Sequence, residues 1–204
     1  MSKKQDRRII ALFIIIGIVL FAIVGVKAYN EFIKDSSPTK KLVTLDLYGY
    51  SLKERDIPLY KTNFKELERV LNETPINYEE YAKLISKLFI IDVFTLNNKV
   101  SSTDIGGLEF VHKSLRENFK ENMGNSLYKN VKSNLDGKRK QTLPQVESIE
   151  VSDVFETKYT YKKKEYDAYL VTLKWTYTNE NNYQKSIKLT LINNKDILYI
   201  VKGE

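Results

Sequence analysis

The residues of this chain that could do chemistry are few and scattered. His112 is the sole histidine among 204 residues and no cysteine occurs, which excludes thiol nucleophiles, thiolate metal sites and disulfide exchange. A lone imidazole cannot build a His-rich metal site. His112 adjoins Val111 at the margin of an apolar stripe, where a boundary histidine with hydrogen-bonded ring nitrogens is expected. Asp92 is the sharper candidate. It falls four residues after Leu88 and seven after Ile85, so on a helix it points with the apolar face. A carboxylate there costs several kcal/mol unless it is paired or protonated. It is then either a base of raised pKa in an apolar pocket, or a structural acceptor for a tyrosine hydroxyl, the Trp175 N–H or a loop backbone. The structural role is favoured. Fourteen tyrosines accompany the single tryptophan, and Tyr169, Trp175 and Tyr177 join Asp92 as pocket candidates.

Known catalytic spacings are missing. Asp104-Ile105-Gly106-Gly107 holds two glycines but no following Lys-Ser/Thr pair, so it is no phosphate loop and is expected to start a helix. Asp46 and Asp56 are too isolated to form a metal site. There is no nucleophile elbow, zinc-protease motif or triad signature. No catalytic residue, metal ligand or cofactor is assigned, and a non-enzymatic protein is expected.

The elements that must position these residues divide into helices first and strands second. Pro58 suits the first turn of a helix beginning near Asp56, and Tyr60, Phe64, Leu67 and Leu71 give it one apolar face. A second helix starts at Asn77 with Glu80 three residues on, a capping-box spacing. Its face is Tyr81, Ile85, Leu88 and Phe89, and Asn97-Asn98 is expected to close it. Leu108, Val111, Leu115, Phe119, Met123, Leu127 and Val131 recur at three- and four-residue steps, which predicts a third and longest helix that Gly124 bends or splits. Before these helices, Leu42 to Leu52 reads as a strand or extended arm, with Gly49 permitting a bend. After Leu135 the period becomes two. Tyr169, Val171, Leu173, Trp175 and Tyr177 form one aromatic-aliphatic face, and Leu170, Thr172, Lys174 and Thr176 form a second, mostly polar one. With strands at Val146 to Phe155, Ile187 to Leu191 and Ile197 to Val201 this predicts an antiparallel meander. The class is segregated α+β.

Ile9 to Val26 is eighteen uncharged, almost wholly apolar residues. As a helix it would be about 27 Å long, close to a bilayer's hydrocarbon thickness. The expected organisation is a cytoplasmic tail (1–8), a transmembrane helix (9–27), a polar linker (28–41) and an extracytoplasmic domain (42–204). Val26-Lys27-Ala28 also offers a weak signal-peptide cleavage site. The tail carries Lys3, Lys4, Arg7 and Arg8 against Asp6, whereas Lys27 and Lys34 balance Glu31 and Asp35 on the far side; this places the N-terminus inside. Of the formal charge of +7, the tail supplies 4 − 1 = +3 and the remainder 29 − 25 = +4. A mildly basic exported domain fits a solvated lysine surface, or attraction to anionic wall polymers, and shows no dedicated nucleic-acid signature.

One N-terminal span carrying helices and then a meander resembles the single-span assembly subunits of type IV secretion and conjugation machines, whose exported domain has a nuclear-transport-factor-2-like, or cystatin-like, fold. That likeness is one of architecture. The segments LYGYSLKERDIPLYKTNFKELERVL, LFIIDVFTLNNKVSSTDIGGLEFV and YTYKKKEYDAYLVTLKW are similar to uncharacterised single-span membrane proteins of Gram-positive bacteria. The resemblance implies a membrane-anchored scaffold whose partners are the lipid bilayer, reached through Ile9–Val26, and other membrane proteins or copies of itself. A wall-polymer or peptide binding module is the alternative. A small-molecule enzyme using a pocket around Asp92 is the third reading.

Overall fold

The computed structural model describes residues 40–179 and 182–204. The unit running from Lys41 to Glu204 is α+β, with three helices and two sheets. The first sheet is a hairpin of β1 (Lys41–Leu45) and β2 (Tyr50–Lys53). It turns at Gly49, whose φ of 76° is easy only for a residue without Cβ. β2 is largely buried while β1 is mostly exposed.

Helix α1 (Pro58–Leu71) has its proline at the first turn and buries Tyr60, Phe64, Leu67 and Val70. Helix α2 (Tyr78–Phe94) starts where the Asn77 side chain accepts the Glu80 N–H at 3.1 Å. From Leu84 it is buried almost all round, as a central helix with little polar face should be. Helix α3 (Arg116–Asn125) is short and has no buried residue.

The second sheet is a four-stranded antiparallel meander in the order β3 (Val146–Tyr161), β4 (Lys164–Tyr177), β5 (Ser186–Asn194) and β6 (Ile197–Gly203). The β4 side chains at Tyr169, Val171, Leu173, Trp175 and Tyr177 are buried against the helices, while Lys174 and Thr176 face solvent. Trp175 meets Phe94 at a ring distance of 4.8 Å. The sheet is strongly curled. In a flat sheet Tyr161 and Tyr199 would stand about 14 Å apart across the strands and about 13 Å along them. Instead both rings lie against His112, at 5.2 and 5.6 Å, and the end of β3 closes over a small outer cluster of Ala168, Ile192 and Tyr199. Bulges at Val146/Ser148, Val151/Asp153 and Thr190/Leu191 supply the extra local twist.

The expected fold class needs correction. Among the described residues no helix is long and apolar enough to cross a membrane, and Ile9–Val26 lies outside the described residues. The sheets number two rather than one meander. The long third helix is also absent. Residues 108–115 instead form a turn, a parallel bridge of Val111 to Ile200 and a 3-10 turn at Lys113–Leu115. The apolar spacing there is real, but Val111 is buried, and Leu108 and Leu115 half-buried, by an irregular segment laid along the β6 edge. Its backbone groups are satisfied by that strand: His112 donates to the Ile200 carbonyl at 3.0 Å and Ile200 to that of Phe110 at 2.9 Å.

The β3–β4 turn holds Lys162 and Lys163 at φ of 50° and 66°, a two-residue loop in which both residues are left-handed, as type I′ requires. Non-glycine residues pay roughly 1 kcal/mol or more there. The double substitution K162N/K163G is expected to stabilise the fold by about 1 kcal/mol, read as a higher midpoint in chemical denaturation; an unchanged or lower midpoint would refute the assigned turn geometry.

Candidate functional site

Two features stand out: a clasp of buried charges at the C-terminal end of α2, and an apolar groove on its other side.

Asp92 lies in the last turn of α2 and is 4% exposed. Its carboxylate forms an ion pair with Lys99, whose side chain is wholly buried. It also accepts the Gly107 N–H at 2.7 Å, and the Lys53 ammonium stands 3.9 Å away. Burial alone would push the Asp92 carboxyl up. The Lys99 and Lys53 ammonium groups and the Gly107 N–H outweigh it and hold the carboxyl well below the usual range. Lys53 is in turn raised, chiefly by Asp92. Asp92 is therefore a fixed anion, not a base near neutrality.

The chain between Lys99 and Gly107 fits closely onto α2. A Cβ at Gly106 would stand 2.2 Å from the Asp92 carbonyl oxygen, and one at Gly107 would stand 2.6 Å from a Val93 methyl. The Asp104-Ile105-Gly106-Gly107 loop thus starts no helix; Gly106 lets the chain lie against the Asp92 backbone, and Gly107 lets it lie against the Val93 and Phe89 side chains. Tyr128 closes the same corner, donating to the Val93 carbonyl at 2.7 Å and accepting the Gly106 N–H at 3.1 Å. Arg139 donates to the Lys99 and Asn97 carbonyls, each at 2.7 Å.

A second layer of charge joins β2 and α1 to this loop. Arg55 pairs with Asp104, one contact being 2.7 Å. Burial would raise Asp104 too, and Arg55 overrides it and lowers it. Glu109 accepts from the Ser51 N–H (3.1 Å), the Ser51 hydroxyl (2.9 Å) and the Tyr60 hydroxyl (3.2 Å). Asp56 accepts the Lys53 N–H at 2.6 Å. Burial raises both Glu109 and Asp56.

The groove, with a cavity volume of about 640 Å³, lies between α2, α3 and the β5–β6 edge. Its floor is apolar, made by Phe89, Val93, Phe119, Met123, Ile187 and Ile200. Its size is that of a ligand or peptide-anchor site. On its rim, Lys202 and Glu204 pair with each other at 2.6 Å.

None of the pocket candidates from the sequence lines this groove. Asp92 is in the clasp. Trp175 packs on Phe94, its indole nitrogen buried near the Tyr177 hydroxyl without the geometry of a hydrogen bond. Tyr177 donates instead to the Gln184 carbonyl at 2.8 Å. Tyr169 is buried near Tyr78 at the opposite end of α2. His112 is a boundary residue whose Nδ1 bonds the Ser114 hydroxyl at 3.0 Å. Among the described residues no group of three or more His, Asp or Glu side chains converges as a metal site would require. Sequence reasoning missed Lys99, Lys53, Glu109 and Tyr128. The one available signal was that an inward Asp92 demands a cation.

No family model matches this chain, and no curated protein or solved structure does either. The resemblance to secretion and conjugation subunits therefore rests on the sequence reading alone.

Asp92→Asn leaves Lys99 buried without a counter-charge and is expected to cost about 3–5 kcal/mol. The double variant D92N/K99M should recover a large part of that; additive losses in denaturation would argue against a mutually dependent pair. The pH dependence has two limbs. Glu109 and Asp56, with raised folded pKa values, bind protons more readily folded than unfolded, so stability should rise slightly as pH falls from neutrality toward their unfolded pKa values. Asp92 and Asp104, with lowered folded values, contribute stability above their unfolded pKa near 4 that is lost as pH falls further. Denaturant midpoints from about pH 7 to 2 should pass through a maximum on the acid side, and a monotonic rise to the lowest pH would contradict the pairing of Asp92.

Proposed function

We propose that this protein is a non-enzymatic interaction domain, held at the cell membrane by the apolar sequence 9–26 with residues 41–204 outside, and that it scaffolds an envelope assembly of the secretion or conjugation kind. The observation that carries the reading is the separation of charge from cavity. The inward-facing acids are tied to cations and backbone donors in the clasp, while the groove offers an apolar floor with only a mutually paired Lys202 and Glu204 among the titratable groups on its lining. Such a surface suits burial of a partner's side chains rather than proton transfer or nucleophilic attack. Helix α3 and the residue before it support this: Leu115, Phe119 and Met123 lie along one side of the groove and remain half-buried, leaving apolar area for a partner to cover.

Because the chain has no cysteine, a single introduced one is a unique cross-linking handle. Cysteine at Asn118 or Asn122, on the groove, should cross-link in cells to the same membrane protein, and cysteine at Lys65, on the exposed side of α1, should not. Capture of that protein equally from all three positions, or from none, would count against the groove as the assembly surface.

A further inference from the structure

The β6 edge is covered along only part of its length. Ile200 donates to the Phe110 carbonyl at 2.9 Å and accepts the His112 N–H at 3.0 Å, so residues 110–112 occupy the edge there. The chain then leaves the strand for the 3-10 turn at Lys113–Leu115 and for α3. Further along β6, Lys188 and Glu204 exchange both backbone bonds, at 2.8 and 3.0 Å. The adjoining pair of Leu189 and Gly203 is then of the non-bonded kind, and Gly203 turns its N–H and C=O away from β5. Gly203 is exposed and lines the apolar groove. The opposite edge of the same sheet is blunted, since β3 carries Glu147, Glu150, Asp153 and Glu156 and two bulges. On the α3 side of the groove stand Asn118 and Asn122. The Asn122 amide donates to the Asn118 side-chain oxygen at 2.8 Å, which leaves the Asn118 N–H groups and the Asn122 side-chain oxygen for a further partner.

We propose that the groove receives an extended segment of a partner protein, added to the sheet as a strand beside Gly203. Its apolar side chains, at every second position, turn toward Phe89, Val93 and Ile187 on the floor. This names the binding mode of the assembly surface proposed above and rests on that reading. Charge sets the first condition. The charged side chains on the lining, Lys202 and Glu204, neutralise each other at 2.6 Å, so an occupant complementary in charge is neutral where it meets the groove. The backbone sets the second. Whatever fills the groove also covers Gly203, and a buried main-chain N–H or C=O needs a partner. A helix has bonded its own main-chain groups internally, and an aliphatic tail has none. An extended chain brings a row of N–H and C=O groups that meets Gly203 on one side and the asparagine amides on the other. Its two-residue period then sends one set of side chains to the floor and the other to solvent.

The test is selection of random heptapeptides displayed on phage against the immobilised full chain. Recovered sequences are expected to carry apolar residues at alternate positions. The tightest binder, synthesised with blocked ends, should lose about tenfold in affinity when the amides of one parity are N-methylated, and much less with the other parity. Gly203→Pro removes the outward N–H at a nitrogen that makes no bond to β5, a change an edge strand tolerates. It should bind that peptide about tenfold more weakly at an unchanged denaturation midpoint, while Gly203→Ala, which keeps the N–H, stays within about twofold. No enrichment, equal binding of the two N-methylated peptides, or parent-like binding by Gly203→Pro would each overturn the proposal. Apolar residues recovered at three- and four-residue spacing would overturn strand addition and leave the groove as an assembly surface. Self-association of the chain that Gly203→Pro abolishes would make a second copy the occupant and overturn the partner. Alternating peptides recovered while cysteines at Asn118 and Asn122 capture nothing in cells would keep the strand site and remove the assembly reading.

Discussion

Lys99 has no exposed side-chain surface, and the carboxylate it meets, Asp92, is 4% exposed. Two opposite charges taken so far from water have lost most of their hydration, and each is tolerable only because the other is there. One partner sits at the end of a helix that is buried almost all round from Leu84, and the other in the loop that follows, so the pair dictates where that loop runs. Gly106 and Gly107 must then lie against α2, Tyr128 must cap Val93, and Arg55 and Lys53 must bring β2 and the start of α1 to the same corner. The clasp fixes the departure of residues 108–115, which run along β6 and set α3 over the groove.

That geometry divides the domain's labour. Charges whose pKa values are displaced most by burial are directed inward and satisfied, which makes them positioning groups for the fold. The apolar groove lies apart from these charges, between α2, α3 and the β5–β6 edge.

Local physics made much of this legible in the sequence. Pro58 at the start of α1, Asn77 capping α2 and the two-residue alternation of β4 each act within a few residues, and the structure contains all three. The inward direction of Asp92 was equally readable from Ile85 and Leu88. Its partner was not, because Lys99 lies in a loop with no period to announce its burial. The Asp104-Ile105-Gly106-Gly107 loop misled for a similar reason: the closeness of two backbones is a tertiary fact, and a pair of glycines alone cannot show what approaches them. The run from Leu108 to Val131 carried a helical spacing that tertiary contact overrode, with Val111 and Ile200 bridging where a helix was expected. The strand order followed from short turns, whereas the curl that lays Tyr161 beside His112 depended on bulges that leave no simple pattern.

The Asp92–Lys99 pair holds the 96–111 loop, and through it α3, in place. Amide hydrogen exchange of the wild type and of K99M tests it most directly, because it resolves where protection is lost. Protection should fall first and most across residues 96–111 and the amides of α3, while β4 and β5 keep theirs under native conditions. Uniform loss across the meander, or unchanged protection of the Gly107 amide, would contradict the account.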